Sequence, residues 1–479
     1  MRYIKGIERN QKVLFPESID EYVEENNLVR FIEAFVETLD IKELDFVYSE
    51  PKEIGRKAYN PAVMLKLYIY GYIQKIRSSR RLEVETQRNV ELMWLMEKLT
   101  PDFKTIADFR KDNIKSVKKV FREFTILCKR LNLFGKELTV IDGSKFKAVN
   151  GKDRCYTRKF LKSELKEIDE KIEVYLEEIE KADKEVQKPR KIEKVKIEES
   201  IKKISKEREE IQKMLKEIES GEKEQISKTD SDSRMMKQSD GGYKVSYNAQ
   251  ISVDSKHHLI IDTEVTNEGN DRNLLSMMSE KSKEVLEAEN LRVVADTGYY
   301  KESELEKCEE QGIECYIPSP KSSTNEKEGR YGMEDFRYDE EKDIYICPEE
   351  KELTYRLTYE RDKKQIRKYE YSKCNQCLTK QNCTLSKGNK VIYKSQYEQT
   401  IKKVRQRCRE NPEIIQKRSS IVEHIFGTMK QSYGYGGGFL LKGIEKVKGE
   451  FSLMGLVYNI KRVQNILGVR RMIESLQQA

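Results

Sequence analysis

ELTVID, residues 137–142, is a short β-forming run that ends on a carboxylate, and it decides how the rest of the chain folds. A second run, LRVVAD at 291–296, has the same design and ends on Asp296. Ligand sites on open α/β sheets gather in the crevice at strand ends, so two strands finishing on Asp142 and Asp296 predict one site built from both. A third acid, Glu423, lies in KRSSIVEHIFGTMK (417–430), a helical pattern that carries basic residues.

Around these acids the pattern is α/β. YKVSYNAQISV (243–253) and HLIIDTEVT (258–266) alternate like paired strands across a short Asp-Ser-Lys turn. A helix is expected over 271–288, then the strand LRVVAD, a helix KESELEKCEEQG stopped by Gly312, and the strand IECYI. Before the first acid, residues 20–130 read as helical, with LVRFIEAFVETL and AVMLKLYIYGYIQKI as apolar segments. Asn60-Pro61 marks a helix start, since proline tolerates the first turn.

Three carboxylates suit hard divalent cations, which prefer oxygen ligands, and Mg²⁺ or Mn²⁺ is the expected metal. Two such ions, roughly 3.5–4 Å apart, activate an attacking oxygen and stabilise the leaving oxygen in phosphoryl transfer. Lys430 lies seven residues beyond Glu423, about two helical turns, and so on the same face. With Arg418 near the helix entrance and Lys145 beside Asp142, it is a candidate for contacts to a phosphate backbone. Arg77, Arg80 and Arg81 form a further candidate DNA-binding cluster, with a solvated helix face as the plain alternative for each cation. His424 points elsewhere on its helix than Glu423 and reads as a packing residue.

Two stretches interrupt this layout. From Leu161 to Val186, and again from Ile197 to Ile218, seam positions are spaced alternately four and three residues apart, with Arg208 in the second seam. Pro189 between them predicts a break and therefore an antiparallel helical hairpin over 158–228. It carries twenty basic and twenty acidic residues, so the net charge of +8 belongs to the rest of the chain. Such a neutral hairpin reads as a rigid spacer, or as a contact that makes a homodimer in a DNA complex. The second interruption holds Cys347, Cys374, Cys377 and Cys383, a Cys-x2-Cys pair with two flanking cysteines. Four thiolates fit a closed tetrahedral Zn²⁺ site, with reduced, unliganded cysteines as the alternative. Arg361, Lys363, Lys364, Arg367 and Lys368 lie nearby and face either DNA or solvent.

The strings PDFKTIADFRK, TVIDGSKFKA, YNAQISVD, VVADTGYY and RSSIVEHIFGTMK, in that order, resemble bacterial insertion-sequence transposases of the DDE type. The resemblance implies a ribonuclease-H-like catalytic core with Asp142, Asp296 and Glu423 as ligands of two Mg²⁺ ions. It also implies a helical N-terminal domain that binds element ends. Partners would be double-stranded DNA with terminal inverted repeats and a target DNA. Many relatives carry Tyr-x2-Arg-x3-Glu-x6-Lys on the last helix. Here Glu423 and Lys430 keep the final spacing, Arg418 comes one residue early, and position 416 is Gln. What relatives imply about a hairpin at the second strand therefore does not carry over.

The expected architecture is an α/β ribonuclease-H-like mixed sheet (131–157, 229–325 and 409–470), an all-α N-terminal domain (1–130), the antiparallel coiled-coil hairpin (158–228) and a small four-cysteine module (326–395). No run of eighteen apolar residues and no signal-type N-terminus occurs, so the expected setting is cytoplasmic, without a membrane. Competing readings are a structure-directed metal-dependent nuclease that never joins strands, and a DNA-binding scaffold with an inactive core.

Overall fold

The chain is described by a computed structural model covering residues 18–50, 58–151, 154–184, 190–221, 225–320, 329–361 and 364–478. Its centre is strand β1 (Thr139–Lys147). β1 pairs antiparallel with β5 (Tyr243–Asp254), which pairs antiparallel with β6 (Ile260–Thr266). On its other edge β1 pairs parallel with β7 (Leu291–Val294), and β7 pairs parallel with β8 (Ile313–Tyr316). The sheet order is thus β6-β5-β1-β7-β8, with the short β4 (Arg234–Lys237) extending the β6 edge of β5. A mixed α/β sheet behind a helical N-terminal region is what the sequence pattern predicted.

Two boundaries differ from that pattern. β1 does not stop at Asp142 but runs five residues further, through GSKFK. Polar residues persist there because the facing strand is also polar: Gly143 opposes Gln250 and Lys145 opposes Asn248. The helix expected from 271 begins only at Leu275 (α8, Leu275–Leu286), which leaves Asp271 in the preceding turn.

In the N-terminal region, α1 (Leu28–Glu37), α2 (Pro61–Ile73), α3 (Ser79–Arg88), α4 (Val90–Leu95) and α5 (Phe103–Arg130) share one apolar core with the sheet. Asn60 caps α2 by accepting from the Ala62 N–H at 2.9 Å, with Pro61 in the first turn as its sequence requires. α2 is apolar on every side and accordingly buried, with Lys66 held by Glu33. Near the C-terminus, the long α12 (Ile444–Leu467) crosses α5 so closely that a Cβ on Gly449 would meet the Ile114 carbonyl at 2.1 Å. Glycine is the only residue that allows this approach.

The first interruption is a pair of long helices, α6 (Arg158–Lys184) and α7 (Arg190–Glu219). Arg158 faces Glu219 and Asp169 faces Arg208, so the two run antiparallel. Leu161, Ile168, Ile211, Met214 and Ile218 form their own small core. Val186 and Pro189 lie outside the described residues, as do the side chains of Ile179, Ala182 and Ile197. At their base β2 (Cys155–Thr157) and β3 (Gln225–Ser227) pair and bring the chain back to the sheet. The Arg208 in the second seam meets Asp169 at 2.6 Å.

The second interruption is an antiparallel sheet of five strands in the order β13-β12-β11-β10-β9. These are β9 (Arg337–Asp339), β10 (Ile344–Ile346), β11 (Glu352–Arg361), β12 (Lys364–Glu370) and β13 (Val391–Ser395). Phe336, Tyr345, Leu353, Tyr369 and Ile392 make its separate core. The chain then returns through α10 (Glu398–Glu410) and α11 (Pro412–Gly427). Among the described residues no helix is long and apolar enough to cross a membrane.

Candidate active site

Register places the first two acids together. Val140 of β1 is paired with Val294 of β7, and Asp142 and Asp296 each lie two residues further along parallel strands. Adjacent strands are about 4.8 Å apart and residues two apart share a face, so both carboxylates emerge level at the edge where β7 stops. Asp296 then caps the single turn Thr297–Tyr299, its Oδ1 accepting the Gly298 N–H at 2.8 Å.

The third acid arrives on α11. Phe426, three residues after Glu423, packs against Phe146 of β1, and Phe146 also meets Phe439 and Phe451. This aromatic cluster fixes α11 across the face of the sheet from which Asp142 projects. Glu423 itself remains exposed. Beyond Gly427 the helix widens into a π-turn, Thr428–Ser432, that carries Lys430 back toward β1. The Lys430 ammonium donates to Ser144 Oγ at 2.6 Å and to the Lys145 carbonyl at 2.9 Å, with the Phe146 ring beneath it. Burial, together with Lys244 and Lys145, pushes its pKa down.

Arg418 occupies the space between the acids. Its guanidinium is 3.6 Å from Asp142 and 3.4 Å from Glu423, with only 19% of its side chain exposed. Burial pushes the Asp142 carboxyl up to about 6, against the pull of Arg418 and the Gly143 N–H, while the charges of Asp296 and Asp271 add to the rise. A half-buried group of oxygen donors with raised proton affinity is short of positive charge. That donor set fits a hard divalent cation. Among the described residues, however, no three His, Cys, Asp or Glu side chains are grouped closely enough to hold a metal ion.

Asp271 was not legible in the sequence. It accepts hydrogen bonds from Asn248 Nδ2 at 2.7 Å and Gln250 Nε2 at 2.8 Å, and Gln250 in turn accepts from the Tyr299 hydroxyl. A Cβ on Gly143 would come 2.2 Å from the Gln250 amide and 3.1 Å from Asp271 Oδ1. Gly143 thus faces Asp271, while the preceding Asp142 projects from the opposite face of the sheet. The brace runs from the turn before α8, through β5, to the turn that follows Asp296. Its one trace in the sequence is a pair of amides at alternate positions of β5, which lie on one face and need an acceptor.

The remaining predicted residues divide. Arg77 is buried, ion-paired to fully buried Glu450 at 2.7 Å and donating to the Gly438 carbonyl. Glu450 also receives the Tyr72 hydroxyl and the N–H groups of Leu440 and Leu441. Arg77 therefore joins α2 to α12, a structural task its basic context did not reveal. Arg80, lying against Phe103, and Arg81 are exposed. Lys145 is half-buried on β1. His424 packs against His258 and Tyr458, as a structural residue does.

Cys347, Cys374, Cys377 and Cys383 line one cavity of about 330 Å³, although they are 36 residues apart at the extremes. The Lys351 N–H points at Cys347 Sγ at 3.4 Å. Burial raises the pKa of Cys383 and Cys374, and the neighbouring cysteines add to both rises. Four convergent sulfurs match the donor chemistry of zinc.

Comparison with known families gives two matches. A family described as Transposase domain (DUF772) matches residues 17–112, and one described as Transposase DDE domain matches 346–464. The first spans the helical N-terminal region. The second takes in the Cys-containing sheet, α11 with Glu423, and most of α12. No curated protein matches the chain. A solved piggyBac transposase synaptic complex with hairpin DNA aligns at 8% identity over 94% of this chain and 75% of that one. Its TM-score is 0.29, too low to support an argument about fold or function.

Proposed function

We propose that this chain, a DDE transposase of the insertion-sequence kind, cuts and joins DNA at a centre built on Asp142, Asp296 and Glu423. The observation that carries the reading is the register of β1 and β7, which sets two acids level at one sheet edge beneath the helix bearing the third. The strand order β6-β5-β1-β7-β8, with three antiparallel strands followed by two parallel ones, agrees with a ribonuclease-H-like core.

Asp142 and Asp296 are the residues that would hold divalent metal, Mg²⁺ or Mn²⁺, with Glu423 completing the set. When bound, a pair of such ions supplies charge at the attacking and leaving oxygens of an in-line displacement. Arg418 neutralises Asp142 and Glu423 in the free protein and swings toward a phosphate once they are engaged. Lys430, anchored on Ser144, sets the π-turn against the strand that carries Asp142 and holds a cation beside the phosphate path. In the first step water attacks phosphorus at the element end and the bond to the 3′ oxygen breaks. In the second the freed 3′-hydroxyl attacks a phosphodiester of target DNA at the same centre. Partners are inverted-repeat ends and target duplex, and pairing of two ends favours a homodimer in the complex. Zinc on the four cysteines would staple the second sheet.

The test is an assay with purified protein, Mg²⁺ or Mn²⁺ and duplexes ending in the flanking inverted repeats. Cleaved ends and joined products are expected, with Asp142→Asn, Asp296→Asn and Glu423→Gln each losing both while still binding ends. Cleavage retained by one of these variants removes that acid from the centre, and nicks without joining would establish a nuclease instead.

A further inference from the structure

The cysteine-containing insertion carries almost the whole net charge of the chain. Between residues 352 and 395 there are eleven Lys and Arg against four Asp and Glu, which is +7 of the total +8. The helical hairpin is neutral, and everything else together contributes about one charge. These 44 residues form β11, β12 and β13 with the cysteine loop between the last two.

The structure separates cations that are committed from those that are presented. Lys364 pairs with Glu302, Arg367 with Asp343 and Lys368 with Glu370. Lys394 lies 3.4 Å over the Tyr338 ring, and Lys390 lies over Phe336 while donating to the carbonyls of Tyr331 and Cys383. These five hold the insertion together. Arg356, Lys373 and Lys387 are exposed instead, and the surface around them includes Tyr355, Leu357 and Tyr393 at 42%, 45% and 51% exposure. In the register of the sheet Leu357, Lys368 and Tyr393 form one row across three strands, close to the row of Tyr359 and Ile366. Tyr359 and Tyr393 meet edge to face.

The sheet is also tied to the candidate active site. Glu302, six residues after Asp296 and at the start of α9 (Glu302–Glu310), receives both Lys364 at 3.1 Å and Ser395 Oγ at 2.8 Å. A polyanion lying on this sheet is therefore held next to the turn that follows the second acid.

We propose that this sheet is a duplex-DNA surface, on which Arg356, Lys373 and Lys387 contact phosphates and the exposed rings cover the sugar edge. The proposal rests on the transposase reading, which supplies DNA as the polyanion, and it assigns the main electrostatic contact to the insertion rather than to the helical N-terminal region. Phosphate contacts of this kind position a duplex without reading its sequence.

The test is fluorescence anisotropy of full-length protein on an inverted-repeat duplex and on an unrelated duplex, across a sodium chloride series. Each phosphate contact contributes about 0.9 to the slope of log affinity against log salt. The triple variant R356Q/K373Q/K387Q should weaken binding to both duplexes alike and lower the slope by roughly two to three. Its melting curve should match the wild type. A variant with the wild-type slope and affinity overturns the proposal, as does a slope loss found only in R80Q/R81Q of the N-terminal region. Asp142→Asn separates the two readings: it keeps the full slope while losing cleavage. If wild type cleaves and joins but the triple variant binds normally, the surface falls and the transposase reading stands. If nothing cleaves but the slope falls as stated, the surface stands alone.

Discussion

Asp142 and Asp296 are separated by 153 intervening residues yet stand level across two parallel strands, because Val140 pairs with Val294 and each acid follows two residues later. Neither position depends on a loop. The pairing is buried on both sides, so a register slip would turn apolar side chains out of the core. The spacing of these two acids is consequently as rigid as the sheet itself.

Asp142 makes the free protein sensitive to pH. Its carboxyl rises from 3.8 to about 6 on folding, so the folded state prefers it protonated. That preference favours folding below about pH 4 and is lost as pH climbs through 6. At neutral pH a rise of that size makes the buried charge cost up to about 3 kcal/mol. Asp142→Asn should therefore raise the melting temperature of metal-free protein at pH 7.5 and leave it nearly unchanged at pH 4.5. Cleavage by the wild type should fall as pH drops through 6, where the ligand becomes protonated. A melt at pH 7.5 no higher than the wild type's would contradict the burial argument.

Arg418 and a divalent cation compete for the same carboxylates. Arg418→Gln removes the guanidinium from Asp142 and Glu423, and should lower the metal-free melting temperature by a few degrees, about 1 kcal/mol. The stabilisation by millimolar Mg²⁺ should then be larger than in the wild type, since no side chain has to leave. Equal Mg²⁺ shifts in the two proteins would mean that Arg418 and metal do not share a site.

Asp271 should act at a distance through its brace. In Asp271→Asn an amide faces the Asn248 and Gln250 amides, and the link from Gln250 to Tyr299 loses its anchor. Loss of such an outer hydrogen bond to a metal centre typically costs about 10–100-fold in activity or metal affinity. Cleavage should fall by about that factor with end binding unchanged, and Asp271→Glu should recover part of it. Wild-type cleavage in Asp271→Asn would leave the brace without a functional role.

Zinc content is directly measurable. Purified protein should carry about one zinc per chain by elemental analysis, and Cys377→Ser should lose it. Chelation should loosen the second sheet, seen as faster hydrogen exchange in β11 to β13, with the core sheet unaffected. Full-length protein without zinc but with the same exchange pattern would leave the cysteines as plain thiols.

The broad layout was readable because it rests on local patterns. Strand alternation, the heptad seams and the Asn60-Pro61 helix start are short-range signals, and each element appeared near its expected place. What escaped the sequence is long-range. Arg77 looked like part of a basic cluster, and its partner Glu450 is 373 residues away. The continuation of β1 past Asp142 depends on β5 offering polar residues opposite polar residues, a property of the pair rather than of either strand. Asp271 sits in an irregular turn where periodicity says nothing, and only its amide partners give it meaning. Arg418 was expected at the DNA and lies instead between two of the acids.

The two long helices leave and rejoin the sheet through β2 and β3, where Cys155 faces Ser227 across a single strand pair. Whatever happens beyond that pair need not be felt at β1. The arms are therefore free to grow or shrink by whole heptads during evolution, and a designer can cut them back to a tight turn or splice in a foreign domain, with Asp142 left where it is.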